Sequence, residues 1–217
     1  METLLLATKF SAPFLRPELT PRPRLTQRLE EGLRLGRRLT LLVAPAGSGK
    51  TTLIAEWLQA TGRAPAAWLL LDEHDSDPQR FLSYLVAALQ RVAPEVGRAL
   101  SGSVGIPQPP TLEAALTLLI NDLAQLPVSA PSAPRLPLVL VLDDYHTIRE
   151  PAIHEALALL VERQPPQMHL VVATREEPPL PLARWRARGQ LAEVRNPDLR
   201  FTGAEASHFL NHTMRLC

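Results

Sequence analysis

Two periodicities alternate along the chain. Short runs that are apolar at nearly every position, the length of buried strands, fall at Leu39-Thr40-Leu41-Leu42-Val43-Ala44, Ala66 to Leu71, Leu138-Val139-Leu140-Val141-Leu142 and His169 to Thr174. A weaker one runs from Leu191 to Arg195. Between them, apolar residues recur at helical spacing. Leu53, Ile54, Trp57 and Leu58 follow Gly49, and Phe81, Leu82, Leu85, Val86, Leu89 and Val92 follow Asp77-Pro78, an N-cap with proline in the first turn. Leu112, Leu116, Leu119, Ile120, Leu123 and Leu126 form a third stripe, and Ile153, Leu157, Leu160 and Val161 after Pro151 a fourth. Strand alternating with helix predicts an α/β fold: a doubly wound, mainly parallel five-stranded sheet with helices on both faces. The run from Leu138 to Leu142 is apolar throughout, as a parallel strand covered on both faces must be. Ligands of such sheets bind at the carboxyl ends of the strands.

The first of those ends carries Ala44-Pro45-Ala46-Gly47-Ser48-Gly49-Lys50-Thr51-Thr52. Glycines let a backbone fold around a phosphate with its N–H groups pointing inward, and the helix N-terminus that follows adds partial positive charge. Lys50 is placed to reach β- and γ-phosphates and the Thr51 hydroxyl to ligate Mg²⁺, so residues Pro45 to Thr52 form the expected nucleotide-binding segment of a P-loop NTPase. The pattern G-x-x-x-x-G-K-[ST] asks for glycine where this chain has Ala44, a strand-exit position at which alanine can take the needed dihedrals. The third strand ends in Asp143-Asp144. One carboxylate there can share the metal with Thr51 and the other can orient an attacking water, although an acidic pair taken alone can simply cap a strand. The fourth strand ends at Thr174-Arg175, where a cation could report whether triphosphate or diphosphate is bound. The expected catalytic set is therefore Lys50, Asp144 and Arg175, with Thr51 and Asp143 on the metal.

Composition narrows the class. The 217 residues carry 23 basic and 22 acidic side chains, net +1, so bulk charge does not draw the chain to nucleic acid or membrane. A hydrophobic fraction of 46% suits a globular core, and the single cysteine, Cys217, excludes an internal disulfide framework. No apolar run approaches the roughly 20 residues of a membrane span, and the Met1 to Ala7 stretch lacks the basic flank of a signal peptide. The expectation is a soluble cytoplasmic protein. Most of the 22 prolines fall at Pro13 to Pro23, Pro107 to Pro110, Pro127 to Pro137 and Pro165 to Pro181, punctuating the chain as loops; the stretch Pro127 to Pro134 reads as a surface spacer. His146, His154 and His169 show no metal-ligand spacing with cysteine, and Trp57, Trp68 and Trp185 read as core or interface residues.

Further motifs carry a resemblance: Lys9-Phe10, Pro21-Arg22-Pro23-Arg24-Leu25, Ala44 to Thr52, Asp72-Glu73, Asp77-Pro78, Phe81 to Leu85, Val139 to His146, Ala173-Thr174-Arg175, Pro179 to Leu182, Arg186 to Leu191 and Asp198 to Thr202. Over nearly its whole length the chain resembles the nucleotide-binding domain of the MalT-like, ATP-dependent LuxR-type transcriptional regulators, which are STAND ATPases. The resemblance implies an ATP/Mg²⁺-binding switch with slow hydrolysis, ADP in the resting state, self-association in the ATP state, and Arg22 or Arg24 near the nucleotide. It also implies a division into a lead segment, 1–38, the P-loop ATPase domain, 39–202, and the start of a following helical domain, 203–217, in a truncated product. The inducer-sensing and helix-turn-helix domains of the family are expected to lie outside these 217 residues.

Two other functions remain open at this stage. One is a stand-alone DNA-binding regulator, for which Arg184-Trp185-Arg186-Ala187-Arg188 is a basic segment with an aromatic; against it stand the near-zero net charge and the lack of a helix-turn-helix signature, so no direct DNA contact and no membrane contact are expected. The other is a P-loop kinase, which needs an acceptor pocket and an arginine-bearing lid that the sequence does not place.

Overall fold

A computed structural model of the chain describes residues 5–15, 19–62, 66–101, 111–126 and 137–213. Cys217, the Pro107–Pro110 cluster and the Pro127–Pro134 stretch lie outside the described residues. The strands are β1 (Leu39–Val43), β2 (Ala66–Leu70), β3 (Leu138–Asp143), β4 (Met168–Thr174) and β5 (Leu191–Arg195). They form one sheet in the order β2-β3-β4-β1-β5, and every pair is parallel. The helices are α1 (Pro23–Arg34), α2 (Lys50–Thr61), α3 (Pro78–Gln90), α4 (Arg98–Ser101), α5 (Leu112–Ala124), α6 (Pro151–Arg163), α7 (Leu182–Ala187), α8 (Asn196–Leu199) and α9 (Gly203–His208). This is the α/β architecture that the two periodicities predict, with the loop of the P-loop motif at the end of β1.

Successive strand residues alternate between two apolar layers, as a pleated strand covered on both faces requires. Leu41, Leu140, Leu142, Leu170 and Val172 pack with Phe81, Leu85, Leu119, Leu157 and Trp185 from α3, α5, α6 and α7. Leu42, Val139, Val141, Val171 and Ala173 pack on the other side with Leu25, Leu29, Ile54 and Trp57 from α1 and α2. The central strands β3 and β4 are buried at every position, whereas edge strand β5 is only partly so. Each fully buried leucine contributes about 1.5–3 kcal/mol, so register is fixed by both layers at once. All three tryptophans are buried. Among the described residues no helix is long and apolar enough to cross a membrane.

Helix α1 is an addition to the pattern read from sequence. Its stripe is Leu25, Leu29 and Leu33, all buried, and Glu30 accepts a 3.0 Å hydrogen bond from the Trp57 indole on α2. Two polar ties hold the segment around it. Lys9 is buried and donates to Asp75 at 2.5 Å, with Asp72 at 2.6 Å, while Arg80 reaches the other Asp75 oxygen at 3.1 Å. Arg24 pairs with Glu205 at the start of α9 and donates to the carbonyls of Asp198 and Arg200. Helix α9 itself begins on a capping box formed by Thr202 and Glu205.

The basic segment around Trp185 is also explained by packing. Trp185 is fully buried, Arg184 pairs with Glu162, and Arg186 holds Glu193 through two hydrogen bonds. Paired with Arg186 and with Arg195, Glu193 is held down to a pKa of about 2 even against partial burial. His169, buried in β4, donates from Nδ1 to the Arg37 carbonyl and lies 2.8 Å from the Thr40 hydroxyl through Nε2. Burial lowers its pKa to about 4, so it is a neutral core residue.

Candidate functional site

Sheet order decides what meets at the carboxyl edge. β4 lies between β1 and β3, so its last residues stand between the loop after β1 and the acid pair after β3. The loop turns sharply because Gly47 (φ 75°) and Gly49 (φ 85°) adopt left-handed backbone, which side-chain-bearing residues rarely do. Gly49 then serves as N-cap of α2. Ala44, by contrast, is not among the described positive-φ residues and is bonded through its N–H to the Thr174 carbonyl. Alanine there therefore carries no backbone strain.

A cavity of 290 Å³ opens at this edge, lined by Ala46, Gly47, Gly49, Lys50, Thr51, Thr52, Asp144 and Arg175. Pro45 and Ser48 are outside this lining; the Ser48 hydroxyl donates to the Pro45 carbonyl and braces the turn. The Lys50 ammonium is buried and donates to the carbonyls of Ala44 (2.8 Å) and Pro45 (3.1 Å). Burial pushes its pKa down, against the attraction of Asp144 and Asp143 and with the help of Arg175.

Asp143 stands behind the cavity rim, 2% exposed. Its Oδ1 accepts from the Thr51 hydroxyl at 3.2 Å and from the Asp144 N–H at 3.0 Å. Burial nonetheless raises its pKa, with the neighbouring Asp144 charge adding to the effect. A dehydrated carboxylate beside a hydroxyl is a hard-oxygen donor pair of the kind Mg²⁺ takes, and the residues present fit that ion. Asp144 is the only described non-glycine residue at positive φ (54°), and it lines the cavity. Its Oδ1 lies 4.0 Å from Arg175 Nε and 3.6 Å from His146 Nδ1.

The family resemblance implies that Arg22 or Arg24 lies near a nucleotide. Arg22 is buried: its guanidinium donates to the Leu199 carbonyl at 2.5 Å and covers the Phe201 ring at 5.0 Å. Its Nη1 would be 3.8 Å from a Cβ on Gly49, so it lies beside the loop without lining the cavity. Its backbone N–H bonds Glu56 on α2. Arg24 is engaged with Glu205 and does not line the cavity. His146, which metal-ligand spacing leaves without a role, closes the Val139 to His146 motif and stands in the turn Tyr145–Thr147 directly after the acid pair.

The sequence profile described as AAA ATPase domain matches residues 22–173. The chain belongs to this AAA ATPase domain family. The chain is 38% identical over 208 residues to the HTH-type transcriptional regulator MalT of Cronobacter sakazakii and 37% identical to that of Klebsiella pneumoniae. Each match covers 96% of this chain and 22% of the regulator, so the chain spans about a fifth of the length of these relatives. Solved structures share its fold. A Walker-type ATPase of Pyrococcus abyssi matches with a TM-score of 0.53 at 16% identity, over 92% of this chain and 59% of its own. A chain of the Drosophila ORC bound to DNA matches with a TM-score of 0.51 at 14% identity, over 85% of this chain and 94% of its own.

Proposed function

We propose that this AAA domain is an ATP- and Mg²⁺-binding switch that hydrolyses ATP slowly, within a cytoplasmic LuxR-type transcriptional regulator. The observation that carries the reading is the convergence of Lys50, Thr51, Asp144 and Arg175, with Asp143 behind them, from three neighbouring strand ends onto one open cavity. The similarity to MalT regulators supports the setting.

In this reading the N–H groups of residues 46–49 receive phosphate oxygens, with Pro45, Ser48 and Thr52 shaping the cradle. Lys50 exchanges its two loop carbonyls for β- and γ-phosphate oxygens. Thr51 and Asp143 would hold Mg²⁺, which when bound neutralises phosphate charge. Asp144 orients the attacking water, and Arg175 leaves Asp144 to reach the γ-phosphate, so its position differs between the ATP and ADP states. A ligand shifts such an equilibrium only through its differential affinity for the two states; ATP favours self-association of the domain and ADP the resting form. Direct DNA contact is not part of this role, since Arg184 and Arg186 are engaged with Glu162 and Glu193.

Calorimetric titration with ATP and ADP, with and without Mg²⁺, tests the reading. Lys50→Ala should weaken ATP binding about 100-fold, or about 3 kcal/mol, the size of a charge-assisted contact to phosphate. Equal affinity in the variant would remove the site assignment.

A further inference from the structure

Asp144 is held by its backbone and left free at its carboxylate. The Thr147 N–H and hydroxyl both bond the Asp144 carbonyl, at 3.1 and 2.9 Å. These bonds fix the left-handed turn, but nothing in them orients the carboxylate. Two side chains flank that carboxylate at the same oxygen: Arg175 Nε at 4.0 Å and His146 Nδ1 at 3.6 Å. Both are beyond hydrogen-bond length.

The two flanking groups are not equivalent. Arg175 is half exposed, with 51% of its side chain open, and it lines the cavity. His146 Nδ1 is buried and has no hydrogen-bond partner. A buried polar atom without a partner costs about 1–3 kcal/mol, and closing about 0.7 Å onto Asp144 would satisfy it. Burial lowers the imidazole's pKa, so the ring is neutral with one proton, and in the Nδ1–H tautomer that proton can be donated to Asp144.

We propose that His146 is a positioning residue for hydrolysis: its Nδ1–H takes hold of the Asp144 carboxylate when the Arg175 guanidinium turns from that carboxylate to phosphate. The inference rests on the hydrolytic reading above. Without a second hand on the carboxylate, departure of Arg175 would leave the water-orienting group free to rotate at the moment it is needed. Misplacement by about an ångström costs up to about 100-fold in rate.

The test is single-turnover ATP hydrolysis beside ATP affinity for the whole chain with Mg²⁺. His146→Asn places an amide nitrogen where Nδ1 stands, and His146→Gln places one where Nε2 stands. The expected result is a rate near the parent's for His146→Asn and a roughly 10- to 100-fold slower rate for His146→Gln and His146→Ala, with ATP affinity unchanged in all three. In an Asp144→Ala background His146→Ala should slow the residual rate no further, because the two act as one unit. Equal rates for the Asn and Gln variants, or an undiminished effect in the Asp144→Ala background, would overturn the role. A parent chain that binds ATP without turning it over would instead overturn the hydrolytic reading, and a chain that binds no ATP would overturn the site itself.

Discussion

Replacing Asp143 by asparagine should separate the stability of the fold from the affinity of the site. Asp143 is 2% exposed, and burial raises its pKa even though Thr51, the Asp144 amide and Lys50 favour the charged form. A carboxyl group whose pKa is raised on folding costs stability as pH rises through the folded value, so at neutral pH the ionised group works against the fold. Asparagine Oδ1 can accept both bonds that Asp143 now accepts, at 3.2 and 3.0 Å, without a buried charge. Asp143→Asn should therefore gain about 1 kcal/mol without nucleotide, which for a chain of this size raises the Tm by about 2–4 °C. Saturating ATP with Mg²⁺ should reverse the ranking. At 100 times its Kd the ligand stabilises the parent by about 2.7 kcal/mol, and the variant, lacking a charged metal ligand, should gain much less. Thermal unfolding in EDTA and again in ATP with Mg²⁺ reads both effects. A variant that melts below the parent in EDTA would show that pairing with Lys50 outweighs dehydration, and an equal ATP-dependent gain in both proteins would remove Asp143 from the metal site.

Lys9→Met should cost about 3–5 kcal/mol in urea unfolding, because it leaves the fully buried Asp75 with Arg80 as its remaining cation; a loss under about 1 kcal/mol would contradict the buried tie. For His169, whose folded pKa is about 4 against an ordinary 6.5, stability is fully present above pH 6.5 and is lost as pH falls toward 4, by about 3 kcal/mol in all. His169→Gln should flatten that part of the stability–pH curve, and an unchanged slope would place the effect elsewhere. Gly97→Ala should destabilise by about 1–3 kcal/mol, since a Cβ there would stand 2.8 Å from Val86 Cγ1 on a backbone at φ +78°; a variant as stable as the parent would refute the close approach.

The sheet is legible in the sequence because parallel central strands are buried on both faces, so runs such as Leu138 to Leu142 stand out without any alternation to decode. The loop after β1, the acid pair and Arg175 can be named from strand-end position alone, since a doubly wound sheet gathers its ligand groups there. Helix α1 escapes that reading because a proline cluster precedes it and its stripe is only three leucines among charged residues. What the sequence hides most completely is the pairing of distant charges. Arg24 finds Glu205 and Lys9 finds Asp75 across the fold, and no local pattern distinguishes them from solvated side chains. The strand pattern also does not show the left-handed backbone of Asp144, although aspartate takes that conformation more readily than most residues.

The strand order has a consequence for synthesis. β1 pairs with β4 and β5, so the strand that launches the phosphate-type loop emerges from the ribosome about 125 residues before either neighbour exists, a wait of about 6–25 s at ordinary elongation rates. During that interval β2 and β3 can form a pair, but the apolar ribbon Leu39–Val43 has both edges bare. Nascent chains that end before β4 should be the ones that chaperones retain, and only translation past β4 converts that ribbon from a sticky edge into the middle of the sheet.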